Sequence, residues 1–84
     1  MLSAERIRRI RWRSRRGLLE NDIVLGRYLD AQEQSLTDED VEALDRLLDL
    51  TDPELLDLIL LRKELDAALD SPPVHRVLAG LRAA

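Results

Sequence analysis

Arg16 and Glu20 form a charged pair four residues apart around Gly17, directly after an arginine-rich segment. A guanidinium and a carboxylate can make directional, charge-assisted hydrogen bonds to another protein. The glycine between them accepts φ > 0 and has no Cβ, so another surface can approach its main chain closely. In the alternative, structural interpretation, Gly17 is the C-cap of the first helix and the two charges form a solvated pair. The stretch therefore predicts either a protein-contact site or a brace between two helices.

The other residue types offer little for catalysis or for cofactor binding. The chain has no cysteine, which excludes disulfides and thiolate metal sites, and it has one histidine, His75, which we expect at the surface. Its carboxylates fall at helix starts or on outward faces, where capping explains them. The sequence contains neither a phosphate loop nor a dinucleotide fingerprint. We therefore expect no catalytic, metal or cofactor site, and a protein that is not an enzyme.

The length of the chain limits its core. At 84 residues it is expected to form a single domain over 1–84, with room for one small core and none for an enclosed cofactor. Its longest apolar run, Leu58 to Leu61, is far too short to cross a bilayer. The chain also lacks a signal-peptide pattern, and the absence of cysteine suits a reducing compartment. We expect a cytoplasmic monomer that works by binding.

Charge is distributed unevenly along the chain, although the net charge is only −4. Seven arginines lie within the first sixteen residues, whereas acidic residues dominate from Glu20 to Asp70. A basic first helix could bind nucleic acid, but the acidic body would repel phosphates. Trp12 and Tyr28 are also too few for a base-stacking platform. A small nucleic-acid-binding regulator that uses the arginine-rich helix remains the alternative function.

Apolar residues recur at helical spacing, and no segment alternates as a strand does. The pattern predicts an all-α fold, a single small bundle of about five short helices. The first two should span about 3–15 and 18–34, and the fourth should fade near 65–69. The predicted N-caps are Ser3, Thr37 with a capping box, Asp52 followed by Pro53, and Ser71 followed by Pro72.

The same periodicity predicts which side chains are buried. In the second helix, Leu19 and Ile23 should face the core together with either Tyr28 or Leu29, and Gly26 should permit close packing against a neighbouring helix. Trp12 fits a place in the core or at its rim better than a place as an exposed anchor. The predicted core is Ile10, Leu19, Ile23, Val41, Leu44, Leu48, Leu56 and Ile59.

Several short motifs follow one another at characteristic distances. They are Arg9 to Trp12, Arg15 to Asn21, Leu36-Thr37, Leu47-Leu48 and Asp52 to Leu55. In these motifs the chain resembles the small, all-helical FAD assembly factors of succinate dehydrogenase, over roughly positions 5 to 70. It departs from that family in its short C-terminal helix and in Asn21, where bacterial members often have leucine.

The resemblance implies an assembly chaperone that binds the flavoprotein subunit of succinate dehydrogenase, or of fumarate reductase, and promotes covalent attachment of FAD to it. The chemistry would belong to that subunit, whose histidine attacks the 8α-methyl carbon of the flavin. Arg16, Gly17 and Glu20 would contact the partner, and Arg9 and Trp12 would extend the same face. A factor that itself carries FAD is a further alternative, which the lack of a pyrophosphate cradle disfavours.

Overall fold

The computed structural model describes residues 4–15 and 17–84. Over these ranges the chain forms helices and no strand, which confirms the predicted all-α bundle. Ser3, the predicted first N-cap, lies outside the described residues. The elements are α1 (Ala4–Arg13), α2 (Leu19–Gln32), a 3₁₀ turn (Glu33–Ser35), α3 (Asp38–Leu48), α4 (Asp52–Ile59) and α5 (Pro72–Ala83).

Local hydrogen bonds fix where α3 begins. The Thr37 hydroxyl accepts from the Asp40 N–H at 3.2 Å, and the Asp40 carboxylate accepts from the Thr37 N–H at 3.1 Å. This is the predicted capping box. Burial opposes ionisation of Asp40, but the hydrogen bonds from Arg76 and Thr37 outweigh it and lower the pKa of the carboxyl group. The cap thus also joins the start of α3 to α5 through Arg76.

The starts of α4 and α5 also follow capping rules, with one correction. The N-cap of α4 is Thr51 and not Asp52, because the Thr51 hydroxyl accepts from the Glu54 N–H at 3.3 Å. Pro53 is therefore the second helical residue, where its missing N–H is still harmless. Ser71 does precede α5 as predicted, but its side chain makes no capping hydrogen bond.

The end of α4 at Ile59 comes well before the predicted 65–69, because the chain reverses there. Leu61 adopts φ 60°, in the left-handed region. The Arg62 N–H donates to the Asp57 carbonyl at 2.8 Å, and the Leu61 N–H donates to the Leu58 carbonyl at 3.3 Å. These paired bonds form a Schellman motif, in which glycine is the usual left-handed residue. Leu61 is also 71% exposed, so burial compensates little of its backbone strain.

One buried cluster contains side chains from all five α-helices. Five of the predicted core residues are buried, and Leu56 is half-buried. The predictions for Leu19 and Ile23 are wrong. The buried apolar side chains are Ile10, Leu25, Tyr28, Leu29, Leu36, Val41, Ala43, Leu44, Leu47, Leu48, Leu55, Leu58, Ile59, Val74, Val77, Leu78 and Leu81.

The face of α2 that points inward differs from the predicted one. It carries Asn21, Leu25, Tyr28 and Leu29, at the spacing of a helical stripe. Asn21 is fully buried, and its Nδ2 donates to the Asp52 carbonyl at 3.0 Å, while its Oδ1 meets no donor in the described part of the chain. Because Asn21 is polar, a prediction based on apolar residues alone does not identify this stripe as the buried one.

Close packing of helices depends on Gly80 and not on Gly26. A Cβ placed on Gly26 would meet no atom within 4 Å, so the predicted packing role is wrong within this chain. A Cβ placed on Gly80 would lie 2.5 Å from Cε1 of Tyr28. Gly80 therefore lets α5 approach α2 at Tyr28, whose burial raises the pKa of its hydroxyl to about 12.

Ile10 is the only fully buried residue of α1, so ion pairs add to what holds this helix against the rest of the molecule. Just after the helix, the Ser14 hydroxyl is buried and donates to the Ile10 carbonyl at 2.7 Å. The hydrogen bonds that Arg11 donates to Glu33 and then to Asp30 raise its pKa. The pairs are Arg6 with Asp38 (2.7 Å), Arg11 with Asp30 (2.9 Å) and Glu33 (2.8 Å), and Arg13 with Asp45 (2.7 Å) and Asp49 (2.8 Å).

The strain at Leu61 predicts that Leu61→Gly stabilises the fold. Removing a left-handed leucine relieves about 1–2 kcal/mol, and the added flexibility of the unfolded chain offsets roughly 0.5–1 kcal/mol of that. We expect the free energy of unfolding, measured by urea denaturation, to rise by about 0.5–1 kcal/mol. Leu61→Ala is the control, because it removes the side chain but keeps the strained Cβ. A loss of stability in Leu61→Gly would show that the leucine side chain matters more than its backbone.

The attachment of α1 predicts that the stability of the protein depends on salt. Arg13→Ala breaks two partly exposed ion pairs, and we expect it to lower the free energy of unfolding by about 1 kcal/mol at low ionic strength. The difference from the parent should shrink near 1 M salt, because salt screens such pairs. Arg9→Ala, an exposed arginine on the same helix, should change little. An equal loss in the two variants would contradict this account of α1.

Candidate partner-binding surface

Gly17 lies in the connection between α1 and α2, exposed and with φ 93°. Because α1 ends at Arg13, Gly17 lies too far along the chain to be the C-cap of that helix. A Cβ placed on Gly17 would meet no atom within 4 Å. The backbone conformation thus requires the glycine, while the space beside it is open to another molecule.

The connection is tied to the start of α2. The Gly17 N–H donates to the Asp22 carboxylate at 3.3 Å. Asp22 lies in the first turn of the helix, where a carboxylate also interacts favourably with the helix dipole. This bond links Gly17 to the turn of α2 that carries Glu20. Arg16, the other charged residue of the predicted contact, lies outside the described residues.

Glu20 lies in the first turn of α2 with its side chain exposed. No hydrogen bond or ion pair joins its carboxylate to another residue of 4–15 or 17–84. An exposed carboxylate without an intramolecular partner keeps its capacity to accept hydrogen bonds from another protein. The geometry therefore leaves Glu20 available for a contact in trans.

Arg9 and Trp12 lie three residues apart on the outward face of α1 and are both exposed. Trp12 is 77% exposed, so the expected place in the core or at its rim is wrong. The body of the molecule meets α1 along Ile10 and the paired arginines, which turns Trp12 away from it. An exposed tryptophan beside an arginine combines two residue types that dominate the binding energy of protein interfaces.

Leu19 and Ile23 flank Glu20 and were missed as surface residues by the sequence prediction. They are 68% and 43% exposed and lie four residues apart on one face of α2. The sequence contains a signal that predicts this exposure. If Asn21, Leu25 and Tyr28 form the buried stripe of α2, then Leu19, Glu20 and Ile23 must point outward. We call Arg9, Trp12, Gly17, Leu19, Glu20 and Ile23 the candidate surface.

A groove of about 350 Å³ is lined by residues of α1, of the connection after it and of α2. We call it the α1–α2 groove; its lining residues are Arg11, Ser14, Arg15, Asp22, Gly26 and Leu29.

The charge of α1 is partly neutralised within the molecule. Arg6, Arg11 and Arg13 are paired with carboxylates of the body, which leaves fewer cations for phosphates than the sequence suggests. His75 is exposed, as expected, with its Nε2 2.6 Å from an Asp70 oxygen. Over the described ranges no group of three potential metal ligands comes together, and no helix is long and apolar enough to cross a membrane.

Known proteins identify the family to which this chain belongs. Residues 8–83 match the family described as flavinator of succinate dehydrogenase. The FAD assembly factor SdhE of Ralstonia nicotianae is 55% identical over 75 residues, which cover 89% of this chain and 79% of that protein. The FAD assembly factor SdhE of Acetobacter pasteurianus is 31% identical over 80 residues, which cover 94% of this chain and 73% of that protein. No solved structure matches significantly. This match over nearly the whole chain shows that the protein belongs to the family of succinate dehydrogenase flavinators.

Proposed function

We propose that this protein is an assembly factor that binds the flavoprotein subunit of succinate dehydrogenase and promotes covalent attachment of FAD to it. The observation that carries the proposal is the family match over residues 8–83. The open main chain at Gly17 and the carboxylate of Glu20, which has no partner among the described residues, support a role in contacting a partner. We place this function in the cytoplasm and assign it to a monomer with one domain.

In this proposal Gly17 and Glu20 form the centre of the contact, together with Arg16. The main chain of the client approaches Gly17, and Glu20 accepts hydrogen bonds from client donors. Arg16 donates to a client carboxylate or carbonyl. Leu19 and Ile23 add the apolar area that the fully buried centre of an interface needs.

Arg9 and Trp12 extend the contact along α1. Trp12 supplies a large, rigid side chain that gains from burial because it is 77% exposed in the isolated chain. Arg9 supplies a cation beside it. The ion pairs of Arg11 and Arg13 hold α1 in place. Arg9 and Trp12 are therefore presented in a fixed orientation.

We assign the bond-forming chemistry to the client, where a histidine is joined to the 8α-methyl carbon of FAD. The factor contributes binding free energy that favours the client conformation in which these atoms meet. It is a chaperone and not an enzyme in this proposal, and fumarate reductase is a second possible client.

A chaperone of this kind predicts a colourless protein without turnover. The absorbance of the purified factor should not correspond to one flavin per protein chain, because its small core leaves little room to enclose a cofactor. For the same reason the factor should not attach FAD to an unrelated protein. Absorbance spectra and metal analysis of the purified chain test this. Stoichiometric flavin that co-purifies would support a flavin carrier instead.

The contact itself is tested by Glu20→Ala and Gly17→Ala. Glu20→Ala should leave thermal unfolding unchanged, because the carboxylate has no partner in the described chain, and should weaken client binding about tenfold or more. Gly17→Ala should lower the free energy of unfolding by about 1–2 kcal/mol, because φ 93° strains an alanine, and should also impair binding. The measurements are titration with the purified flavoprotein subunit and assay of covalent FAD on it.

Glu42→Ala, at an exposed glutamate of α3, is the matched control and should bind and flavinylate like the parent. If Glu20→Ala behaves like this control, the assignment of Glu20 to the contact is wrong. If the parent chain neither binds the subunit nor raises its covalent FAD content, the proposed function itself is wrong.

A further inference from the structure

The arginines of α1 divide between two sides of the helix. Arg6 and Arg13 lie on the same side as the buried Ile10, and both form ion pairs with carboxylates at α3. Successive helical residues are about 100° apart, so Arg8 lies about 160° from Ile10 around the helix axis and Arg9 about 100° from it. The helix therefore presents a paired side to the body of the molecule and a second side to its surroundings.

The second side combines arginine with tryptophan. Its four exposed residues are Glu5, Arg8, Arg9 and Trp12, at the spacing of one helix face. We call these four residues the outward face of α1. Trp12 comes four residues after Arg8 and three after Arg9, so both arginines are its neighbours on the helix surface. An aromatic side chain beside two cations is thus exposed on this face.

The charges of the outward face have no partner within the described chain. No ion pair or side-chain hydrogen bond joins Glu5, Arg8 or Arg9 to another described residue. The carboxylates of the body that pair with this helix all pair with Arg6, Arg11 or Arg13. Because the face has two arginines and one glutamate, one net positive charge remains on it.

The charge around this face limits what it can bind. On the paired side of α1, the three arginines face five carboxylates, and the whole chain has a net charge of −4. The uncompensated positive charge of α1 therefore occupies only about two helical turns. Nucleic acid or an anionic membrane extends beyond such a stretch and meets the acidic body, which repels it. A small acidic patch on a protein complements the face without that repulsion.

We propose that the outward face of α1 docks on a small acidic patch of the flavoprotein client, where Arg8 and Arg9 pair with carboxylates and Trp12 is buried. This inference rests on the proposed function. It adds Arg8 to the contact and gives the chemistry of the client surface that α1 meets. Tryptophan and arginine are enriched among the residues that dominate binding energy at protein interfaces, and this face has both.

Reversal of one charge tests the face. Arg8→Glu should leave thermal unfolding unchanged, because Arg8 is exposed and has no ion-pair partner among the described residues. It should weaken binding of the purified flavoprotein subunit about tenfold at low salt. The difference from the parent should shrink as salt is added, because salt screens surface charges. Trp12→Ala should also weaken binding about tenfold, but this loss should persist at high salt because it comes from lost apolar burial.

Arg46→Glu is the matched control. Arg46 is an exposed arginine of α3 without an ion-pair partner among the described residues, so this variant changes the net charge equally at another place. It should bind nearly like the parent. Glu5→Gln tests the sign in the opposite direction, because it removes the negative charge of the outward face. It should tighten binding at low salt by about twofold.

Three results would overturn the inference. The first is equal binding of the subunit by Arg8→Glu and the parent. The second is an equal loss in Arg8→Glu and Arg46→Glu, because net charge and not this face would then control binding. The third is binding of the parent to short duplex DNA or to vesicles that contain phosphatidylserine, if Arg8→Glu abolishes that binding and leaves binding of the subunit unchanged.

Failure of the outward face and failure of the proposed function give different results. A parent chain that does not bind the subunit contradicts the function. A parent that binds, with a Glu20→Ala variant that binds weakly and an Arg8→Glu variant that binds normally, contradicts only the docking of this face.

Discussion

The rotation of α2 about its own axis is the constraint on which the candidate surface depends. Asn21, Leu25 and Tyr28 are buried, and successive helical residues are about 100° apart, so Leu19, Glu20 and Ile23 must point outward. The hydrogen bond from Asn21 to the Asp52 carbonyl joins the first turn of α2 to the first turn of α4. The Oδ1 of Asn21 meets no donor in the described part of the chain. The buried stripe, together with the bond from Asn21, fixes the direction in which Glu20 faces.

The attachment of α1 is a second constraint of a different kind. Ile10 is the one fully buried side chain of this helix, Ile7 is half-buried, and the paired arginines add to the attachment. Exposed ion pairs contribute only about 0.2–1 kcal/mol each, so several are needed to hold one helix. These ion pairs account for the many arginines of the segment, because their carboxylate partners lie on the body of the same molecule. Binding of nucleic acid is not required to explain the basic composition. Arg8, Arg9 and Arg15 have no ion-pair partner among the described residues, so they remain for contacts outside the chain.

The small core and the exposed apolar side chains belong together. A chain of 84 residues cannot cover every large side chain, but it could bury a tryptophan if its helices were arranged for that purpose. Instead Trp12, Leu19 and Ile23 remain exposed on the two helices that border the groove. Aromatic and other apolar side chains are common in the buried centre of protein–protein interfaces. Their exposure here fits a factor whose work is done on a larger partner.

Local rules applied to the sequence predict the helices, the capping box at Thr37, the buried positions Val41, Leu44 and Leu48 of α3, and the resemblance to the flavinylation factors. These features rest on bonds and spacings within a few residues, so local rules suffice. The outward position of Trp12, the buried face of α2, and the different roles of Gly26 and Gly80 depend on the tertiary packing. The same holds for the partners of Arg11 and Arg13, which lie 19 to 36 residues away. The reason is that a helix with apolar residues on two faces can bury either face. Its contacts with segments that are distant in the sequence determine which face is buried.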